Sequence, residues 1–288
     1  MRTQELAPAK INLALDILGR RADGYHELRM VMQTVSLCDV ITVEEGGTGF
    51  TLLTGEAFSL PADKVSMEQR AAEAFFAALG VPVPPLTVRL EKNIPAFAGL
   101  GGGSADVAAL LRCLRRLYAA GMPDEALRAI GLTVGSDVPF CVSGGTSLAE
   151  GRGERLTDLP PLPVCQIVLC KPDFGISTPE LFVLADGAVL SKRPDIAGLT
   201  AALQGGELTG VTDRLCNVFE EFLPERYQEV FRIKEILLAH GALNAAMSGS
   251  GPTVYGIFES AAEAQRAAEV LKKSYQQTYV AKPVKKLV

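Results

Sequence analysis

The sequence predicts an α+β fold divided into two domains, and three observations predict it. At 288 residues the chain exceeds the roughly 100–200 residues that a single core usually serves. Stretches with two-residue apolar alternation and stretches with apolar residues three and four apart occur in both halves. Between the halves lies "DLPPLPV", whose Pro160, Pro161 and Pro163 interrupt regular structure, so the domains are expected at residues 1–160 and 161–288.

"KINLALDIL" and, after a turn at "RADGYHE", "LRMVMQTVSLCDVITVEE" alternate apolar and polar residues and read as two long antiparallel strands. "GFTLLTG" adds a strand. The segment Ser66 to Leu79 has helical spacing and stops at Gly80. "LTVRLEKN" is a strand that leads into "NIPAFAGLGGGSADVAALL". From Ser104, placed as a helix N-cap, apolar residues recur on one face through Leu117 and Tyr118 until Gly121. "DEALRAIGL" gives a short helix and "PFCVSGGTSLAE" a strand.

The second half opens with strand "CQIVLCKP", then a helix at "STPEL" with Thr178 as cap and Pro179 in the first turn. Helices around "RLCNVFEEFL" and "RYQEVFRIKEILLAHG" follow. Strand "AAMSGSGPTVYGIF", helix "SAAEAQRAAEVLKKSY" and strand "QTYVAKPV" complete a small α+β sandwich. The nearby "KPVKK" reads as a solvated strand end.

Composition removes several function classes. With 48% hydrophobic and 21% charged residues the chain is globular rather than disordered. A net charge of −5 without a long Lys/Arg cluster argues against nucleic acid, whose phosphates demand a basic face. Asp16 interrupts the apolar stretch near Met1, no cleavage pattern follows it, and no run reaches the ~18 apolar residues of a membrane span. A cytoplasmic protein without a membrane partner is expected. Cys38, Cys113, Cys141, Cys165, Cys170 and Cys216 form no C-x-x-C, sit mostly in apolar runs, and read as reduced thiols. His26 and His240 are far from any cysteine pair, which argues against structural zinc.

The informative stretch is "AGLGGGSADV". Four glycines in five residues before a helix leave backbone N–H groups exposed where the helix dipole is positive, a natural seat for phosphate. The alternative is a flexible turn, which is disfavoured because a run of glycines loses much backbone entropy on folding. A dinucleotide fingerprint fails because Ser104 stands where its third glycine belongs. A Walker A loop fails because the sequence has no Gly-Lys pair. "DFG" at 173–175 lacks an accompanying H-R-D and is a chance match. "MSGSGPTVYGIF" at 247–258 is a tight turn when taken alone; with the first loop it points to a phosphate-bearing ligand held between the domains.

Together "PAKINLALDILGRRADGYHEL" at 8–28, "PAFAGLGGGSADVAALL" at 95–111 and "MSGSGPTVYGIF" resemble, in order and spacing, the three motifs of the GHMP kinases. This superfamily includes galactokinase, homoserine kinase and mevalonate kinase. The resemblance implies an N-terminal ribosomal protein S5 domain 2-like ATP-binding domain, a C-terminal ferredoxin-like α/β sandwich, and an active site in the cleft between them. "DGYHEL" and "GSDVPF" are similar to the branch that uses ATP to phosphorylate the 2-hydroxyl of a cytidine-diphosphate-linked methylerythritol in isoprenoid precursor synthesis. ATP and magnesium are the implied cofactors, the metal held mainly by phosphates and water because no protein carboxylate pair for it is evident. The implied partner is that small molecule, with the protein a monomer or weak homodimer.

The resemblance also assigns residues. Pro95, Ala96, Phe97, Ala98, Gly99, Leu100, Gly101, Gly102, Gly103, Ser104 and Ala105 form the ATP loop, Ala105 replacing a serine common in the family. Lys10 alone reads as a strand-edge lysine; by resemblance it contacts the substrate hydroxyl or the transferring group. Asp137 alone reads as a cap or turn residue; by resemblance it accepts the hydroxyl proton, a role open to a weak base because the alcohol acidifies as the new bond forms. Asp106, in the first turn after the loop, is its less favoured rival. Tyr25 is expected to stack on cytosine and His26 to read its polar edge, with Phe182 closing the other face and Thr178 and Asn12 nearby. Lys64 or Ser66 stands where an adenine-contacting asparagine is usual.

Overall fold

β1 (Arg2–Arg20) and β2 (His26–Glu45) pair along their whole lengths as an antiparallel hairpin. The register slips between Pro8 and Lys10 and again between Asn12 and Ala14. Bulges of this kind re-aim side chains, and these two flank Lys10 and Asn12. The computed structural model describes residues 1–55 and 65–287. β3 (Phe50–Thr54), helix α1 (Met67–Ala78), β4 (Leu86–Glu91), α2 (Gly102–Tyr118), α3 (Asp124–Leu132), α4 (Val138–Ser143), β5 (Thr146–Gly151) and β6 (Arg155–Asp158) follow. β2 is long enough to take two neighbours on one edge, β5 at Leu28–Gln33 and β4 at Val40–Glu45.

Two expectations for this half change. "PFCVSGGTSLAE" is not one strand: its first part is α4, started by Pro139 in the first turn, and Gly144 and Gly145, both at positive φ, reverse the chain into β5. Ser104 does not cap α2. Gly101, left-handed at φ 68°, occupies that position, and Ser104 lies within the first turn.

The remaining elements are β7 (Gln166–Lys171), α5 (Thr178–Gly187), α6 (Ile196–Gly205), α7 (Leu208–Thr212), β8 (Cys216–Asn217), α8 (Glu229–Ala239), β9 (Asn244–Met247), β10 (Val254–Phe258), α9 (Ala261–Lys272) and β11 (Gln277–Ala281). The sheet order β11-β7-β10-β9, with α8 and α9 packed on it, is the ferredoxin-like arrangement. Side chains alternate between its two faces. Val168, Cys170, Val254 and Phe258 share a core with α8 and α9, whereas Ile167, Leu169, Tyr255 and Ile257 pack with Ile11 and Leu13 of β1. That second contact buries β1 on both faces, and Tyr255 Oη donates to the Asn12 carbonyl at 2.8 Å.

The helix expected at "RLCNVFEEFL" is instead β8, which adds in parallel to β1, followed by a 3-10 turn at Val218–Phe222. Asn217 explains the break. Its Oδ1 accepts from Phe219 N, and its amide donates to the carbonyls of Met247 and Gly249 at 2.8 Å each. "STPEL" does start a helix, with Ser177 rather than Thr178 at the cap. "KPVKK" is no loose end: Val284 N donates to Thr34 O, Lys286 pairs with Asp158, and Leu287 N donates to Ser143 O.

Candidate active site

A cleft of ≈ 1080 Å³ opens where the glycine loop, the β1–β2 hairpin and α5 converge. Gly99 and Gly101 line it at φ 73° and 68°, a region costly for other residues. Each is also hemmed in. A Cβ on Gly99 would lie 2.1 Å from the Ser248 carbonyl oxygen, and one on Gly101 would lie 3.0 Å from Lys10 Cγ. The loop is clamped to the second glycine element by Ser248 Oγ donating to Gly99 O at 2.9 Å. The first N–H groups of α2, at Gly102, Gly103 and Ser104, have no acceptor within the helix and sit at its positive end.

Of the loop residues, Phe97, Gly99, Gly101 and Ser104 face the cleft. Phe97 is 83% exposed in a left-handed conformation, and a Cβ added to Gly175 would lie 3.2 Å from the Phe97 Cβ. Ala98, Leu100 and Ala105 are buried beneath the loop, and Pro95, Ala96, Gly102 and Gly103 do not line the cleft. Lys64 lies outside the described residues, and Ser66 caps α1 by accepting from Gln69 N.

Lys10 is 5% exposed, its backbone N–H bonded to Leu100 O. A buried ammonium needs acceptors. Its Nζ donates to Asn12 Oδ1 at 2.8 Å and lies 3.5 Å from Asp137 Oδ2. Asn12, 1% exposed, is absent from the cleft wall and donates to Met30 Sδ, so its visible work is to hold the lysine. Asp137 occupies the N-cap position of α4 yet makes no capping hydrogen bond, which leaves its carboxylate facing Lys10 and the cleft.

At the other end His26 stacks on Phe182, ring centroids 4.6 Å apart and planes 16° from parallel. Tyr25, half-exposed, is covered by the Arg152 guanidinium at 4.3 Å, a cation–π contact. Thr178 Oγ1 and Ser250 Oγ are 2.6 Å apart, joining α5 to the second glycine element. All four expected residues meet in the cleft. Arg152, Arg20, Asp186 and Ser250 line it too and were not anticipated. Arg20 and Ser250 lie within the motif stretches 8–28 and 247–258, and Arg152 is set between glycines in "EGRGE"; Asp186 comes in only through the fold.

Behind the loop lies a buried charge cluster that sequence reasoning also missed. Asp39, fully buried, accepts from the N–H groups of Asn93 and Ile94 and from Lys92 Nζ, which also donates to Asp106 Oδ2 at 2.6 Å. Asp106 Oδ1 is buried without a partner. Burial, outweighing the pull of Lys92 and helped by the Asp39 charge, pushes the Asp106 carboxyl up to about 8. This places Asp106 under the loop as a structural group, away from the cleft wall. The cysteines are free thiols, and burial pushes Cys113, Cys141, Cys165 and Cys170 up to about 12.

A two-lobed α+β fold with a glycine loop opening a helix onto an Asp–Lys pair defines a class. The models for the GHMP kinases N terminal domain and the GHMP kinases C terminal domain match residues 67–145 and 200–277. A 4-diphosphocytidyl-2-C-methyl-D-erythritol kinase of Caldicellulosiruptor bescii is 40% identical over 92% of this chain and 93% of its own. The enzyme of that name from Clostridium acetobutylicum is 37% identical over 96% and 99%. A crystal structure of 4-(cytidine 5'-diphospho)-2C-methyl-D-erythritol kinase superposes with TM-score 0.82 at 33% identity, covering 98% of this chain and 99% of that one. A homoserine kinase from Cytophaga hutchinsonii, 19% identical with TM-score 0.74 over 99% and 95%, shares the fold. The chain belongs to the 4-diphosphocytidyl-2-C-methyl-D-erythritol kinase family.

Proposed function

We propose that this chain transfers the γ-phosphoryl group of ATP to the 2-hydroxyl of 4-(cytidine 5'-diphospho)-2-C-methyl-D-erythritol, with Asp137 accepting the hydroxyl proton and Lys10 stabilising the transferring group. The observation that carries the residue roles is the 3.5 Å approach of Lys10 Nζ to an uncommitted Asp137 carboxylate beside the glycine loop. Phosphoryl transfer asks mainly for alignment and for charge that stabilises the equatorial oxygens. Lys10 is preplaced for that by Asn12 and by the bare face of Gly101. The loop backbone at Gly99 and Gly101 and the start of α2 at Ser104, at the helix's positive end, hold the nucleotide phosphates, and Tyr25, His26 and Phe182 hold the cytosine by stacking and edge contacts.

Magnesium would be held together with the nucleotide phosphates. The described residues contain no group of three His, Cys, Asp or Glu side chains able to hold a metal. Ser104 and Asp137 line the cleft as oxygen donors, which fits a cation bound mostly by phosphates and water. When bound it neutralises phosphate charge.

The test is coupled ADP release with ATP and magnesium, offering the cytidine compound, homoserine and mevalonate to the wild type and to Asp137→Ala. Turnover confined to the cytidine compound, and lower by ~10²–10⁴-fold in the variant, is the expected result. Unchanged turnover in Asp137→Ala would remove the proton-acceptor role and leave the kinase; ATP binding without turnover of any alcohol would replace the kinase by a nucleotide-binding module.

A further inference from the structure

α5 presents Thr178, Phe182 and Asp186 to the cleft at four-residue spacing, one above the other on a single helix face. Thr178 and Phe182 have roles in the site described above. Asp186 has none, yet its Oδ1 lies 2.8 Å from His26 Nε2 and its Oδ2 lies 3.6 Å from Arg20 Nη1. With a guanidinium on one oxygen and an imidazole on the other, the carboxylate serves as acceptor on both sides. The hydrogen in the 2.8 Å contact therefore sits on Nε2. A neutral imidazole has a single ring hydrogen, so Nδ1 of His26 is left as a bare acceptor.

We propose that Asp186 is a positioning residue that selects cytosine over uracil by fixing the His26 tautomer. The inference rests on the cytidine-diphosphate reading of the site. Cytosine carries an amino donor at its 4-position, where uracil carries a carbonyl acceptor. A bare Nδ1 accepts from the first and opposes the second. The Phe182 ring, one turn before Asp186, sets the plane of the imidazole, while Asp186 sets which of its nitrogens bears hydrogen. Without that partner the ring could place its hydrogen on Nδ1 and donate to uracil.

The protein supplies its own control, because it has two histidines. His240 Nδ1 lies 2.7 Å from the carbonyl oxygen of Ile236, so His240 carries its hydrogen on Nδ1. The two rings should be opposite tautomers, distinguishable by imidazole ¹⁵N shifts in one spectrum of the full chain at pH 8.5. Kinetics would compare the cytidine compound with its uridine counterpart on the wild type, Asp186→Ala and Asp186→Asn. The expected outcome is an Nε2–H signature for His26 in the wild type that becomes a tautomer average in Asp186→Ala. The cytidine-to-uridine ratio of kcat/KM should drop about tenfold in that variant, the scale of one net hydrogen bond. The loss should fall on the KM of the nucleotide-linked substrate, with the KM for ATP within twofold. Asp186→Asn, which can both accept and donate, should fall between.

An Nδ1–H signature for wild-type His26 would overturn the inference, as would a ratio unchanged within twofold in both variants. A wild type that does not turn over the cytidine compound would overturn the functional reading and this inference with it. A wild type that turns it over while the variants keep the ratio would overturn the inference alone.

Discussion

Gly99→Ala is the sharpest perturbation of the loop. The added Cβ would stand 2.1 Å from Ser248 O and 2.9 Å from Gly251 N, both backbone atoms that cannot rotate aside. A φ of 73° adds strain of about 1–2 kcal/mol for a residue bearing a Cβ. Parting the loop from the 248–251 turn also removes the Ser248 Oγ to Gly99 O bond, worth about 1 kcal/mol. The sum is a loss of about 2–3 kcal/mol, or a fall in Tm of about 4–12 °C at about 2–4 °C per kcal/mol for a chain of this size class. Because Leu100 O bonds the Lys10 backbone, the shift reaches Lys10, and with the role proposed for that lysine a misplacement near 1 Å costs about 100-fold in rate. Differential scanning calorimetry and the ADP-release assay read the two effects. Gly103→Ala is the thermal control: its Cβ would meet nothing nearer than Met67 Sδ at 3.6 Å, and alanine is the better helix former, so its Tm should hold or rise. A Gly99→Ala protein within 2 °C of wild type (about half the smallest expected shift) and of undiminished activity would refute the clamp.

Two further predictions concern buried charge. Asp106 has its folded pKa raised from the ordinary 3.8 to about 8, so its stabilising contribution is complete below about pH 4 and is lost as pH rises through about 8. Asp106→Asn removes that dependence; urea midpoints at pH 5 and pH 8.5 should differ less in the variant than in the wild type, and an equal difference would count against the burial argument. Arg112, buried in α2, donates to the carbonyls of Leu6 and Cys141 at 2.7 and 2.8 Å and faces Glu5. Arg112→Ala strands these acceptors and should cost about 3 kcal/mol by urea unfolding. Exposed Arg116→Ala should cost under about 1 kcal/mol, despite sharing Glu5.

The glycine loop was legible because its signal is local: a glycine run meets an amphipathic helix, and that junction has one chemical use. β7 and β11 of the ferredoxin-like half were legible as short apolar stretches, but "AAMSGSGPTVYGIF", expected as one strand, is the antiparallel pair β9 and β10, because the glycines at 249 and 251 and the Ser248 N to Thr253 O bond reverse the chain between them. Lys10 was not legible on its own, since its burial comes from β1 being covered on both faces, which periodicity in one strand cannot report. Asp186 and His26 are joined across 160 positions, and no local pattern encodes that pairing. "RLCNVFEEFL" misled because its helical spacing is real, while the Asn217 side chain donates to the Met247 carbonyl at the end of β9, thirty residues onward. Ser104 misled because a left-handed glycine can begin a helix without a side-chain cap.

β8 joins β1 only after most of the chain has been made, and the 283–287 segment that bridges to Thr34 and Ser143 is made later still. On the ribosome, amino-terminal domains ordinarily fold first as they emerge. Here the first sheet emerges with the Ala14–Leu15 stretch of β1 lacking its β8 partner until the second half arrives, which leaves those backbone groups open to neighbouring nascent chains throughout that interval.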